Sequence, residues 1–167
     1  MSVEDLQQPP ALTVRCAILT VSDTRTPETD TSGRLIRQLL TDAGHLVVER
    51  ALVPDDPDEV SRIVAAWTDA RNIRIVITTG GTGISRRDST FEAVTHLFSK
   101  ELTGFGELFR TLSFQEIGAG AMLTRATAGI VDMSAVFMLP GSEAAVRLAM
   151  EKLIIPQLTH IARELEK

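Results

Sequence analysis

The chain lacks the features that would place it outside the cell, in a membrane or on nucleic acid. It has one cysteine, Cys16, so no intrachain disulfide can form, and its place in the apolar run VRCAILTV reads as a small buried side chain. The first dozen residues, MSVEDLQQPPAL, have neither a basic stretch nor an apolar core, so no export signal is read there. No apolar run approaches the roughly 18 residues that a membrane span requires. A cytoplasmic location is expected. A basic excess is also missing: the formal net charge is −5, which argues against a general nucleic-acid binder but leaves room for a local arginine cluster. Prolines are few, and no repeat or low-complexity segment interrupts the chain. What is present is ordinary globular composition, 44% hydrophobic and 23% charged, over 167 residues. That length suits one core. We expect a flexible N-terminal arm over 1–12 and a single domain over 13–167.

Apolar runs too short for helices alternate with segments of helical spacing. Residues 14–21 are near-continuously apolar and β-rich, as expected of a strand covered on both faces. Residues 31–43 follow, with Leu35, Ile36, Leu39 and Leu40 as an apolar stripe and Gly44 as a C-terminal stop. A second strand is predicted over 46–53 and a second helix over 58–70, where Val60, Ile63, Val64 and Trp67 fall at helical offsets. Residues 73–79 make a third strand, and 89–99 a helix whose Ser89 and Glu92 stand at capping-box spacing. Glycines at 104, 106, 118 and 120 then break the pattern, and only a short helix over 107–113 is read inside a long loop. Strands over 126–131 and 135–139 and helices over 143–153 and 157–165, separated at Pro156, close the chain. The alternation predicts an α/β fold, a three-layer α/β/α Rossmann-like arrangement with a mostly parallel central sheet, because parallel neighbours need crossover connections.

Open α/β sheets bind ligands outside the carboxyl ends of their strands, so the residues after each strand are the place to look. They are Ser22, Asp23 and Thr24; Pro54, Asp55 and Asp56; Thr79, Gly80, Gly81, Thr82 and Gly83; and Pro140, Gly141 and Ser142. The third set opens the stretch ITTGGTGISRRD, a glycine turn without a Lys-Ser/Thr pair, which excludes a P-loop NTPase. The turn after the first strand, SDTRTPETD, has no glycine, which argues against a dinucleotide fingerprint. Successive backbone N–H groups in a glycine turn form an anion nest, and the N-terminus of the following helix adds to it. Arg86 and Arg87 offer positive charge nearby. Carboxylates such as Asp55 and Asp88 beside a polyphosphate make chemical sense with a hard divalent cation between them, since Mg²⁺ takes one or two carboxylates plus phosphate oxygens. The rim reads as a site for a magnesium nucleotide.

Each element also has a plainer reading. GGTG can be a tight turn, Asp55 a turn residue with Asp58 as helix cap, Asp88 a charge favoured by a helix N-terminus, and Asp23 a solvated turn residue. His45, His96 and His160 lie far apart without ligand spacing and read as structural.

Nine segments together go further: ILTVSD at 18–23, DTSG at 30–33, VPDD at 53–56, TTGGTG at 78–83, RRD at 86–88, GFGELFR at 104–110, LSFQEIG at 112–118, LTRATAG at 123–129 and MLPGS at 138–142. In that order they resemble the MoaB/MogA family of molybdenum cofactor biosynthesis, with the strongest likeness to MoaB. The resemblance implies a molybdopterin adenylyltransferase, in which Mg-ATP and molybdopterin give adenylyl-molybdopterin and pyrophosphate. It implies Asp55 and Asp88 as the catalytic pair and ligands of Mg²⁺. It places Gly80, Gly81, Thr82, Gly83, Pro140, Gly141 and Ser142 on the nucleotide, and Ser22, Asp23, Ser113, Thr124 and Arg125 on the molybdopterin side. It also implies a homo-oligomer, trimer or hexamer, and hand-off to a molybdenum-inserting protein. The alternative is a MoaB-type protein that binds molybdopterin or a nucleotide without catalysis. Some relatives have lost an acid of the VPD motif, whereas this chain keeps both acids.

Overall fold

The computed structural model describes residues 11–167, so the expected N-terminal arm lies outside the described residues except for its last two. Six strands, Arg15–Val21 (β1), Leu46–Val53 (β2), Ile75–Thr79 (β3), Lys100–Glu101 (β4), Thr127–Val131 (β5) and Ser134–Leu139 (β6), form one sheet in the order β2-β1-β3-β6-β5-β4. β1 pairs in parallel with both β2 and β3, and β3 in parallel with β6. The β5–β6 and β4–β5 pairings are antiparallel. The expected architecture is therefore present as a mixed sheet, with the antiparallel part confined to one edge.

Among the described residues six α-helices cover the sheet: Thr31–Asp42 (α1), Pro57–Asp69 (α2), Thr90–Thr95 (α3), Thr103–Ile117 (α4), Glu143–Ala149 (α5) and Ile155–Glu164 (α6). The alternating strand residues decide which layer each helix joins. Cys16, Ile18, Ile75, Ile77 and Phe137 point to one face, where Ile36 and Leu40 of α1, Phe105 and Phe109 of α4, Val146 of α5 and Leu158 of α6 meet them. Ala17, Leu19, Val76, Val136 and Met138 point to the other, against Val60 and Val64 of α2 and Ala93 and Val94 of α3. Burial pushes the Cys16 thiol up to about 12, which leaves it an inert part of this core.

Three regions depart from the sequence reading. α3 is a short helix over Thr90–Thr95, and Ser89 makes no side-chain bond to its first turn, because the Ser89 hydroxyl donates to Asp55 instead. The capping box is not formed. The Glu101–Ala121 segment holds the two-residue β4, the fifteen-residue α4 and a 3₁₀ stretch over Gly118–Leu123 rather than a short helix in a long loop. Pro156 does not separate two helices. It sits in the first turn of α6, and a π-helical turn over Met150–Ile154 joins α5 to α6, widening the helix where proline has no N–H to donate. No helix among the described residues is long and apolar enough to cross a membrane.

Candidate functional site

The parallel strands β1, β2, β3 and β6 bring their carboxyl ends to one edge, and short bonds knit those ends together. Ser22 N–H donates to the Val53 carbonyl at 2.9 Å and Gly80 N–H to that of Leu139 at 2.9 Å. The Thr79 hydroxyl donates to the Pro140 carbonyl at 2.8 Å. All four predicted turns therefore share a rim.

The glycine loop is its centre. Gly80 has φ +98°, and a Cβ there would lie 2.1 Å from the Val21 carbonyl oxygen, so the chain turns against the end of β1 at a distance only glycine permits. With the Gly80 N–H held by Leu139, the N–H groups of Gly81, Thr82 and Gly83 remain without a protein acceptor among the described residues. Three adjacent open donors are what an anion nest requires.

Each acid of the expected pair lies against one glycine of this loop. Asp55 is 6% exposed. Its Oδ1 accepts the Ser89 hydroxyl at 2.6 Å, and its Oδ2 lies 3.0 Å from where a Gly81 Cβ would stand. Asp88 Oδ2 accepts the Ser85 N–H at 2.9 Å and would lie 2.7 Å from a Gly83 Cβ. Burial raises the Asp55 carboxyl above its ordinary value; the Ser89 hydrogen bonds oppose that shift, while the negative charges of Asp88 and Asp23 add to it. The two acids thus sense one another across the loop.

The remaining predicted residues distribute unevenly. Ser22 accepts the N–H groups of Thr24 and Arg25, which fixes the turn after β1. Asp23 accepts the Asp55 N–H at 3.0 Å and two guanidinium bonds from Arg87 at 2.9 Å each, which hold its carboxyl down at about 2. Thr124 pairs its hydroxyl with that of Thr82 at 3.3 Å. Arg125 donates from Nε to the Gly83 carbonyl at 3.0 Å and from Nη2 to the Asp88 carbonyl at 3.1 Å, pairs Nη1 with Glu92, and stacks over Phe91. It braces the loop from behind. Ser142 caps α5 by accepting the Ala145 N–H at 3.2 Å. Ser113 is buried on α4 and has no hydrogen bond to the rim among the described residues. Of the two arginines expected to lend charge, Arg86 is exposed and Arg87 is tied to Asp23.

Several rim residues escaped the sequence reading. Ser89 looked like a cap and instead holds Asp55. Thr90 gave no signal at all, yet its hydroxyl is buried without a partner, pressed against Gly81. Arg25 and Ser32 both donate to the Gly141 carbonyl, at 2.9 and 2.7 Å. Asp30, buried beside them, lies within the DTSG segment, which was the one clue to it.

A divalent cation fits this donor set. Among the described residues no three His, Cys, Asp or Glu side chains converge on a point, so there is no all-protein metal cage. Two hard carboxylates beside open phosphate donors match Mg²⁺, which relies on substrate oxygens to complete its shell.

The chain is similar over nearly its whole length to proteins of one family. Residues 17–160 match the MoCF_biosynth family, described as a probable molybdopterin binding domain. The chain is 51% identical to molybdenum cofactor biosynthesis protein B of Bacillus subtilis (strain 168) over 168 aligned positions, covering 100% of this chain and 99% of that protein. A crystal structure of a molybdenum cofactor biosynthesis protein B superposes with a TM-score of 0.90 at 51% identity, covering 95% and 99% of the two chains. The tungsten cofactor synthesizing protein MoaB from Pyrococcus furiosus superposes with a TM-score of 0.81 at 40% identity, covering 96% and 100%. With the family model spanning most of the chain and these relatives matching nearly end to end, the protein belongs to the MoaB/MogA family of molybdenum cofactor biosynthesis proteins.

Proposed function

We propose that this protein adenylylates molybdopterin, taking Mg-ATP and molybdopterin to adenylyl-molybdopterin and pyrophosphate. The observation that carries the reading is the placement of Asp55 and Asp88 against two glycines of one loop whose N–H groups are open. A terminal phosphate oxygen of molybdopterin attacks the α-phosphorus of ATP, the bond from that phosphorus to the bridging oxygen breaks, and pyrophosphate leaves. No covalent enzyme intermediate is needed. The work for the protein is to hold two anions in line and to disperse the charge on the leaving group.

The open N–H groups of Gly81, Thr82 and Gly83 hold phosphate oxygens, while Arg125 and Thr124 keep the loop in shape from behind. Asp55, fixed through Ser89, and Asp88, fixed through Ser85, would hold Mg²⁺. When bound, that ion supplies charge neutralisation between the two substrates. A cation beside Asp55 would favour its ionised form and so oppose the effect of burial.

The test is pyrophosphate release from ATP with molybdopterin present. Wild-type protein releases pyrophosphate, whereas Asp55→Ala and Asp88→Ala each abolish release while retaining a native circular dichroism spectrum. Wild-type turnover by either variant overturns the assignment. A wild-type chain that binds molybdopterin but releases no pyrophosphate belongs instead to the non-catalytic binding class.

A further inference from the structure

An anion site on a glycine loop without lysine needs a cation, and the arginines nearest in sequence do not provide it. Arg86 is exposed and makes no bond to the rim among the described residues, Arg87 is engaged by Asp23 at an exposed position, and Arg125 directs its guanidinium nitrogens to protein oxygens. Arg25 differs. It follows β1 in the turn fixed by Ser22, and its Nη2 donates to the Gly141 carbonyl at 2.9 Å. Gly141 in turn lies against the glycine loop, since a Cβ on it would stand 3.6 Å from the Gly80 Cα. The Arg25 side chain keeps 29% of its surface exposed, and its Nε donates to no protein acceptor among the described residues.

Behind it sits Asp30, only 1% exposed. That carboxylate accepts the Thr20 hydroxyl at 2.8 Å, the Gly33 N–H at 3.0 Å and Arg50 Nη2 at 3.1 Å, and its Oδ1 lies 3.8 Å from Arg25 Nη1. Two guanidinium groups therefore face one buried carboxylate, and the cluster is left with one uncompensated positive charge. Arg50, on β2, is hydrogen-bonded to Asp30 at 3.1 Å, whereas Arg25 stands 3.8 Å from it and bonds to Gly141, so the charge at the rim is that of Arg25. Nη2 is held by the Gly141 carbonyl and Nη1 faces Asp30, which orients the fork and leaves Nε without a protein acceptor among the described residues, a preorganised guanidinium of the kind that takes a phosphate.

We propose that Arg25 is the phosphate-binding cation of the rim and that Asp30 positions it. This rests on the reading of the rim as a nucleotide and pterin site. The ligand is a phosphate group, either of the ATP polyphosphate or of the pterin, and the test separates the two.

Pyrophosphate release by the full chain is measured with each substrate varied in turn, for wild type, Arg25→Gln, Arg25→Lys and Asp30→Asn. Loss of one charge-assisted bond predicts about a tenfold or greater rise in KM in Arg25→Gln with a smaller change in kcat. A rise confined to ATP assigns the polyphosphate, and one confined to molybdopterin assigns the pterin phosphate. Arg25→Lys recovers part of the loss. Asp30→Asn raises the same KM and adds little when combined with Arg25→Gln, because the two act through one group. Unchanged KM values for both substrates in Arg25→Gln overturn the proposal.

Thermal melting with inorganic pyrophosphate reads anion binding without turnover, so it separates failure of this proposal from failure of the reaction. Pyrophosphate raises the Tm of wild type but not of Arg25→Gln. An equal shift in both excludes the polyphosphate and, with an unchanged KM for molybdopterin in Arg25→Gln, overturns the role given to Arg25.

Discussion

Asp55 and Asp23 end neighbouring strands and touch through the Asp55 N–H, yet their surroundings drive them in opposite directions. Asp55 belongs to a sealed floor under the glycine loop, where burial outweighs its Ser89 bonds and lifts its affinity for protons. Asp23 belongs to an open lip, where the Arg87 guanidinium holds it down at about 2. The same chemical group is thus a costly buried anion in one place and an easily ionised surface anion a few ångströms of backbone away. What separates them is water: the floor excludes it, and the lip does not. The floor is where this chain accepts an energetic penalty, and such penalties concentrate at functional sites.

If the floor is sealed as described, intruding on it has the largest effect on the fold. Gly80→Ala places a methyl group 2.1 Å from the Val21 carbonyl oxygen at a φ of +98°. The obstacle is backbone of the central strand, so relief requires moving β1 or the loop. The strained dihedral and the overpacking together predict a loss of roughly 2–5 kcal/mol by urea denaturation. A variant within about 0.5 kcal/mol of wild type, the range of an ordinary surface substitution, would show that the loop is not pressed against β1.

A subtler change in the floor has the opposite sign. A carboxyl whose folded pKa is raised above its unfolded value stabilises the fold below that unfolded value and loses the contribution as pH rises through the folded pKa. Above that folded value the wild-type protein therefore carries an unfavourable ionised Asp55. Asp55→Asn removes that charge and keeps an oxygen for the Ser89 hydroxyl; its amide faces the side of Gly81 where the Thr90 hydroxyl has no partner. The variant is expected to melt above wild type at pH above the raised Asp55 pKa, with the gap closing as the pH falls from that value toward 3.8. The same variant is expected to release no pyrophosphate. A melting gap independent of pH would mean that the carboxylate of Asp55 is not held in a desolvated place.

The floor and its scaffold were unequally legible in the sequence. β1, β3 and β6 were readable because strands buried on both faces are written as apolar runs, β2 at the sheet edge because β-branched and apolar residues flank its Glu49 and Arg50, and the turns after them because parallel strands must end together. The antiparallel edge was harder. β4 is two exposed residues, Lys100 and Glu101, which carry no periodicity. α4 was cut short by its glycines, yet Gly106 is not a breaker: a Cβ there would strike the Arg110 guanidinium at 2.6 Å and the Ala126 carbonyl at 2.8 Å, so the residue reflects helix-to-strand approach. Within the site, Asp55 and Asp88 could be picked out as acids beside a glycine turn. Ser89, Thr90 and Arg25 could not, because what matters about each is a contact with a residue 34, nine or 116 positions away. Local patterns do not encode such distances.

The lip completes the contrast with the smallest effect. Asp23 accepts Arg87 in a two-bond fork, but both side chains are exposed, at 36% and 68%. Exposed pairs gain little because water and salt screen them and both side chains must be ordered to meet. A depressed folded pKa gives stability that is present above the ordinary carboxylate value of 3.8 and lost as pH falls toward about 2. At neutral pH Asp23→Asn keeps an oxygen for the Asp55 N–H and for Arg87 Nη2, and gives up its own charge and the exposed bond from Arg87 Nε. Its melting temperature is therefore expected to fall slightly at low ionic strength and to match wild type in molar salt. A large, salt-insensitive loss would place Asp23 in the floor with Asp55, and the division of the rim into a dry and a wet half would fail with it.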